Sequence, residues 1–196
     1  MKLELFLVRH GETVLNAERR YCGRLDVPLS ERGERQALTL PERLPLERIK
    51  AVYSSDMIRA VQTAKPLCEA LNMEPVLMPG LRELDFGDWE GMIFEDVRKQ
   101  YAEQHAGWVS GKYNCAQPGG ETSDNMFKRV GASIDSIIEK GLDAAVVAHG
   151  GCIRFIIMHL LDLPFKYYWN FMVDNTSIIR LVIEKERAMI MFDGVL

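Results

Sequence analysis

Short apolar segments that alternate with helical segments constrain the fold of this chain more than any other feature. Residues 3–8 form an apolar run with one charge, which suits a central strand in length and composition. Residues 51–54, 75–78 and 144–148 have the same strand character. Because strands that alternate with helices form parallel sheets covered on both faces, we predict the α/β class, as a three-layer α/β/α sandwich with a mostly parallel central sheet.

The segments between these strands have helix signals, and the end of the chain has hairpin signals. Ser30 is predicted to cap a helix that Pro41 kinks or ends, and Ser55 is predicted to cap a second helix. Gly141 is expected to end a later helix. Two final strands joined by a charged turn supply an antiparallel edge. The remaining predicted segments are helices over residues 56–71, 95–105, 123–140 and 152–161 and strands over residues 178–183 and 188–192.

The composition is that of one globular domain. A chain of 196 residues with 47% hydrophobic and 27% charged residues can bury its own core, so we expect a single domain over residues 1–196. The formal net charge of −4 argues against nucleic acids and membranes as partners. The sequence has neither a recognisable signal peptide nor a membrane-spanning run, and its four cysteines are widely spaced. We therefore expect a cytoplasmic protein with free thiols.

Several kinds of phosphate and metal site are excluded. Neither G-x-x-x-x-G-K-[ST] nor G-x-G-x-x-G occurs in the sequence. No cysteine is followed by arginine at the spacing of a cysteine phosphatase loop, and no D-x-D pair is present for a magnesium-dependent aspartyl phosphatase. No two histidines are spaced to share a metal ion, so we expect no metal site.

Two of the predicted strands end in a histidine followed by a glycine. Arg9-His10-Gly11 follows the first strand, and His149-Gly150 follows the strand over residues 144–148. Ligand sites of open α/β sheets lie outside the carboxyl ends of the strands, so we expect His10 and His149 to share one crevice. A capped strand end and a buried core histidine are the alternatives that these residues alone leave open.

Five ordered blocks of sequence resemble the histidine phosphatase superfamily, which includes cofactor-dependent phosphoglycerate mutase. The resemblance covers nearly the whole chain, and the ordered combination is far more specific than any single block. The blocks are residues 7–13 with Asn16, followed by residues 20–30 and Gly33; residues 53–63; residues 81–83 with Phe86-Gly87; residues 118–121; and His149-Gly150.

This resemblance implies a phosphatase that works through a phosphohistidine. It makes His10 the nucleophile, Glu83 the general acid and His149 a second histidine that stabilises the transferring group. Arginine guanidinium groups can donate two parallel hydrogen bonds to phosphate oxygens, and they supply the positive charge that a metal would otherwise provide. We therefore expect neither a metal nor a cofactor. The phosphate contacts that the resemblance implies are Arg9, Arg59, Asn16, the Gly23 backbone, His149 and the amide of Gly150.

Other carboxylates and aromatic residues compete for roles at such a site. By residue type alone, Asp85, Asp88 and Glu90 are equally good acids, and only the family's spacing to Phe86-Gly87 selects Glu83. The large aromatic residues either line a substrate pocket or pack in the core, and Cys22 is either a small filler or an oxidisable thiol. His105 and His159 are predicted to be structural. The aromatic candidates are Trp89, Trp108, Tyr167, Tyr168 and Trp169.

The substrate class also follows from the resemblance. The chain passes from Glu83 directly into a helix without the longer insertion of the mutases, which favours water as the phosphoryl acceptor. Residues 84–91, 118–121 and 171–177 most resemble the α-ribazole phosphatases of cobalamin assembly. Broad-specificity and fructose-2,6-bisphosphate phosphatases are the alternatives, a phosphoglycerate mutase ranks below them, and an inactive binding module ranks last. The expected partner is a small-molecule phosphate ester, and a homodimer is left open.

Overall fold

Six strands form one mixed sheet in the computed structural model, which describes residues 2–110, 117–185 and 187–191. The order across the sheet is β3-β2-β4-β1-β5-β6. The first four strands of that order are parallel, and β5 and β6 add antiparallel pairs at one edge. The predicted mostly parallel sheet with an antiparallel edge is confirmed. The strands are β1 (Lys2–Arg9), β2 (Ala51–Ser54), β3 (Val76–Leu77), β4 (Ala144–Ala148), β5 (Ile178–Glu184) and β6 (Arg187–Met191).

Helices cover both faces of this sheet, and together they form the predicted three layers. Successive side chains of β1 point to opposite faces, so Leu5 and Leu7 enter one core cluster while Phe6 and Val8 enter the other. The first cluster includes residues of α7 and α8, and the second includes residues of α4. The helices are α1 (Val14–Ala17), α2 (Glu31–Leu38), α3 (Leu40–Arg43), α4 (Ile58–Leu71), α5 (Phe94–Gln100), α6 (Ala102–Val109), α7 (Ser123–Ile138) and α8 (Gly150–Leu160), with short 3-10 turns at Pro79–Leu81, Gly87–Trp89 and Phe165–Asn170.

Helix boundaries differ from the sequence predictions by up to two residues in α7 and α8 and by more at three other places. Ser30 caps α2 as predicted, but α2 ends at Leu38, and Pro41 lies in the first turn of the separate helix α3, where a missing N–H costs nothing. The prediction that Ser55 caps the next helix is wrong, because α4 begins at Ile58 and the Ser55 hydroxyl is used elsewhere. The helix predicted over residues 95–105 is two helices, α5 and α6, separated at Tyr101.

Three cysteines can be located in the structure. Cys22, Cys68 and Cys152 are free thiols, as predicted. Cys115, and Phe192 at the end of the last predicted strand, lie outside the described residues. None of the helices within the described ranges has the length and hydropathy needed to cross a bilayer.

Candidate active site

The ends of two neighbouring parallel strands bring His10 and His149 together. Arg9 of β1 and Ala148 of β4 are partners in the register, so the next residue of each strand leaves the sheet at the same edge. The two imidazole rings meet edge to face, with 5.1 Å between their centroids. His10 is 3% exposed and His149 is completely buried. The structure therefore brings these two predicted site residues into contact.

The hydrogen bonds of His10 fix its tautomer. Its Nδ1 atom lies 2.7 Å from the carbonyl oxygen of Gly11. A carbonyl only accepts, so Nδ1 carries the proton and Nε2 keeps a free lone pair. The backbone here is held from both sides, because the amide of Gly11 donates to Thr63 Oγ1 at 2.9 Å and Asn175 Nδ2 donates to the carbonyl of His10 at 3.0 Å.

Both imidazoles are held in the neutral form. Burial, followed by the charges of Arg59 and Arg9, lowers the pKa of His10 well below its ordinary value. The pKa of His149 is lowered in the same direction, first by burial and then by Arg59. His10 therefore presents an unprotonated Nε2 at neutral pH, which is the form that attacks an electrophile.

His149 is oriented by a serine and an arginine. Arg59 Nε lies 3.3 Å from His149 Nδ1, and Ser55 Oγ lies 2.9 Å from His149 Nε2. Because an arginine N–H only donates, Nδ1 accepts and Nε2 donates its proton to Ser55. The sequence analysis missed this role of Ser55. The available signal was its position directly after β2, the parallel neighbour of β4.

Two arginines supply positive charge to the site, although in different ways. Arg59 is fully buried and donates to the backbone carbonyls of Gly23 and Leu25 at 2.7 and 2.8 Å. Arg9 donates through Nη1 to Val173 at 2.6 Å, whereas its buried Nε has no acceptor among the described residues. In that part of the chain neither arginine pairs with a carboxylate at ion-pair distance, so the positive charge is available to an anion.

Glu83 is held at the start of α8. Its Oε2 accepts the amide of Gly151 at 2.9 Å, and its Oε1 accepts the amide of Leu84 at 2.9 Å. A Cβ at position 151 would lie 2.3 Å from Glu83 Oε1, so only glycine permits this approach. Glu83 and Arg9 both line a cavity of about 300 Å³.

The structure separates Glu83 from the other candidate acids. Glu90 accepts four backbone amides, at 2.7 to 3.3 Å, and so holds two loops together. Asp85 accepts the amide of Gly87 at 2.9 Å. Of the four carboxylates considered, Glu83 is the one that lines the cavity. The amides held by Glu90 belong to Gly23, Arg24, Leu25 and Phe86.

The remaining phosphate contacts implied by the resemblance differ in whether their polar groups are free to bind phosphate. Asn16 and Gly150 line the cavity. The Oδ1 atom of Asn16 accepts from the amide of Thr13 at 3.2 Å, which leaves the Nδ2 end for other partners. The amide of Gly23, in contrast, donates to Glu90 at 3.0 Å, so a phosphate would have to compete with a carboxylate for it.

The cavity has a volume of about 300 Å³ and is lined by arginines and aromatic rings. A second cavity of about 550 Å³ adjoins it, and the two share Tyr21, Phe94, Trp108 and Trp169 in their walls. The guanidinium of Arg154, a residue that the sequence analysis did not assign to the site, lies 5.3 Å from the ring centroids of both Tyr168 and Trp169. The other lining residues of the first cavity are Arg9, Asn16, Arg20, Cys22, Glu83, Phe86, Gly150, Gly151, Arg154 and Tyr168.

The aromatic candidates divide between cavity and core. Trp108 and Tyr168 are buried core residues that also line the cavity, and the partly exposed Trp169 lines it too. Trp89 is completely buried and lies outside the cavity wall, and Tyr167 is exposed. Burial raises the pKa of the Cys22 thiol, which favours its role as a filler over an oxidisable thiolate.

Neither of the other two histidines contacts His10 or His149. His159 bonds Asp135 at 2.8 Å and so links α8 to α7, and His105 lies against Trp89 and Trp108. Within the described ranges, no group of three or more His, Cys, Asp or Glu side chains is placed to hold a metal ion.

Fold and site together are those of an enzyme that acts on phosphate monoesters. The chain belongs to the histidine phosphatase superfamily, branch 1, whose family model matches residues 5–192. A phosphorylated small molecule is the kind of substrate that this family implies.

Relatives with different names are similar to this chain. Phosphoserine phosphatase 1 of Hydrogenobacter thermophilus is 33% identical over 191 residues, which cover 96% of this chain and 90% of that protein. The probable phosphoglycerate mutase GpmB of Yersinia pestis is 34% identical over 181 residues, covering 91% and 84%. The crystal structure of the α-ribazole phosphatase from Shigella flexneri superimposes with a TM-score of 0.87 at 28% identity and covers 96% of this chain and 95% of that one.

Proposed function

We propose that this phosphatase works through a phosphohistidine formed on His10. The observation that carries the proposal is the state of this ring: buried, neutral, and held through Nδ1 by Gly11 so that Nε2 is free to attack. In the first step Nε2 attacks phosphorus, and the bond from phosphorus to the leaving oxygen breaks. Arg9 and Arg59 supply the positive charge that stabilises the phosphoryl oxygens, and His149 packs edge to face against the nucleophile.

Glu83 has a part in both steps of this mechanism. In its acid form it donates a proton to the leaving oxygen as the first bond breaks. As a carboxylate it then takes a proton from the water that attacks phosphorus, the bond between His10 and phosphorus breaks, and inorganic phosphate leaves. Support for these two duties comes from its place in the wall of the same cavity as Arg9.

Chemical trapping of the intermediate tests this mechanism. Wild-type protein mixed with labelled p-nitrophenyl phosphate and quenched rapidly is expected to carry protein-bound phosphate that is acid-labile and base-stable. Peptide mapping should place the label on His10. Label on another residue, or turnover with no covalent phosphate at any quench time, would contradict the mechanism.

For the leaving group, we propose a molecule with a flat apolar ring, and α-ribazole 5'-phosphate is the first candidate. Four aromatic side chains are shared by the walls of the first and second cavities, so a leaving group too long for about 300 Å³ can extend along them. The benzimidazole base of α-ribazole is a ring of this kind. The similarity to a solved α-ribazole phosphatase supports the same choice.

Phosphoserine is the second candidate, and Arg154 is the observation that favours it. This guanidinium lines the first cavity, and no carboxylate of the described residues lies at ion-pair distance from it. A carboxylated leaving group would supply the missing anion. The similarity to a phosphoserine phosphatase points the same way.

Two substitutions separate these candidates. Trp108→Ala is expected to lower kcat/KM for α-ribazole 5'-phosphate about tenfold, because the loss of an aromatic stacking contact costs about 1.4 kcal/mol. Its kcat/KM for phosphoserine should stay within about twofold. Tyr167→Ala, which removes an exposed ring outside the cavity, is the control. If phosphoserine is the better wild-type substrate and Arg154→Gln impairs it selectively, the α-ribazole assignment is wrong.

A further inference from the structure

Arg129 of α7 uses three donors of its guanidinium on the segment that carries Glu83 and the other two on Glu121. Nη1 donates to the carbonyls of Gly80 and Arg82 at 3.0 and 2.7 Å, and Nη2 donates to the carbonyl of Glu83 at 2.9 Å. Nε and the second Nη2 hydrogen donate to the two oxygens of Glu121, both at 2.7 Å. These five bonds account for all five N–H groups of an arginine side chain.

Glu121 bonds both Arg129 and the backbone of the segment that carries Glu83. Its side chain is 15% exposed and that of Arg129 is 21% exposed, so the ion pair is largely shielded from water. Its amide donates to the carbonyl of Asp85 at 2.9 Å, two residues beyond Glu83. Glu121 thus holds Arg129 through its carboxylate and the Glu83 segment through its backbone.

The glycines before Glu121 allow this segment to lie directly on the Glu83 loop. The carbonyl of Pro118 accepts the amide of Asp88 at 2.8 Å. A Cβ at Gly120 would lie 2.4 Å from the carbonyl oxygen of Asp85, so a larger residue would separate the two segments. Residues 118–121, which the resemblance marks without a chemical role, therefore clamp the loop that contains the candidate acid.

We propose that the Glu121–Arg129 ion pair is a positioning device for Glu83. The inference rests on the proposed function, because it gives Arg129 a role only through the proton transfers assigned to Glu83. Arg129 lies behind the loop and bonds only its backbone, so it is a positioning residue and not a catalytic one. Lysine cannot replace it, because a single ammonium lacks the planar fork that reaches three carbonyls and a carboxylate at once.

The expected defect depends on the leaving group. Displacements of about 1 Å can cost about 10²-fold in rate, so Arg129→Lys should lower kcat/KM for phenyl phosphate by about that factor. Phenyl and p-nitrophenyl phosphate are similar in shape, but nitrophenolate leaves readily without a proton. For p-nitrophenyl phosphate kcat/KM should therefore fall by less than about threefold. A loss of folded protein would lower both values equally.

A double variant that combines Arg129→Lys with Glu83→Gln tests whether Arg129 affects the rate through Glu83. If Arg129 acts through Glu83, Glu83→Gln/Arg129→Lys should hydrolyse phenyl phosphate within about twofold of Glu83→Gln alone. Glu121→Gln should show the same leaving-group dependence in a weaker form, and it carries the test if Arg129→Lys does not fold. Lys128→Ala, which removes an exposed neighbour on α7 paired with Asp124, is the matched control.

The outcomes separate this inference from the mechanism on which it rests. If wild-type protein forms no phosphohistidine, the proposed function fails before Arg129 is considered. If wild type forms it but correctly folded Arg129→Lys protein slows the two substrates equally, the positioning role is overturned. A double variant far slower than Glu83→Gln alone would also overturn it, since Arg129 would then act by another route.

Discussion

The His10→Ala variant is expected to lose at least about 10⁴-fold in kcat on every phosphate ester while keeping its fold. Alanine removes the only ring whose Nε2 is both neutral and aimed at the phosphoryl group in the proposed mechanism. The remaining cations still bind phosphate, so substrate affinity should persist. Steady-state kinetics with p-nitrophenyl phosphate, together with thermal unfolding, measure both expectations.

Labelled substrate provides the sharper measurement for the same variant. No protein-bound phosphate should survive the quench, because no bond from phosphorus to His10 can form. His159→Ala, which removes a histidine that bonds Asp135 away from the catalytic pair, should label like wild type. Covalent phosphate on His10→Ala protein would show that another residue is the nucleophile.

The Glu83→Gln variant should separate the two chemical steps. An alkyl phosphate releases a strongly basic alkoxide that needs a proton, so formation of phosphohistidine should slow by about 10²- to 10⁴-fold. With p-nitrophenyl phosphate the formation of phosphohistidine should be slowed much less, because nitrophenolate leaves without a proton. Hydrolysis of the phosphohistidine should be slow, because it has lost its general base. Nitrophenol should then appear in a burst, and phosphoenzyme should accumulate.

Pre-steady-state absorbance of nitrophenol and quantified phosphoenzyme check this expectation. Asp85→Asn is the matched control, since Asp85 is a neighbouring carboxylate that does not line the cavity. It should show neither the burst nor the accumulation. Equal slowing of alkyl and nitrophenyl substrates by Glu83→Gln, with no burst, would rule out Glu83 as acid and base.

The sheet and its two histidines could be predicted from the sequence because both depend on local patterns. An apolar run ending in His-Gly reports a buried strand and the residue that leaves it. The structure adds the parallel pairing of β1 with β4, a long-range contact that places His10 beside His149. The choice of Glu83 needed the resemblance to a family, since nothing in the local sequence distinguishes it from Asp85 or Glu90.

Contacts between distant segments could not be predicted in this way. Ser55 has the signature of a helix cap, but its hydroxyl bonds His149, 94 residues away. The carbonyl partners of Arg59 and the loop contacts of Glu90 are likewise set by tertiary packing. The division of the aromatic residues between core and cavity depends on how α6 and the segment Phe165–Asn170 approach each other, which composition does not encode.

The positive charges of Arg9 and Arg59 have a consequence for the end of the proposed catalytic cycle. Inorganic phosphate resembles the phosphate group of a monoester, so in the proposed mechanism both arginines attract product as well as substrate. Each release of product therefore works against the attraction that binds the next substrate. In that mechanism the fixed positive charge of the two arginines thus also sets how long the enzyme remains occupied by its own product.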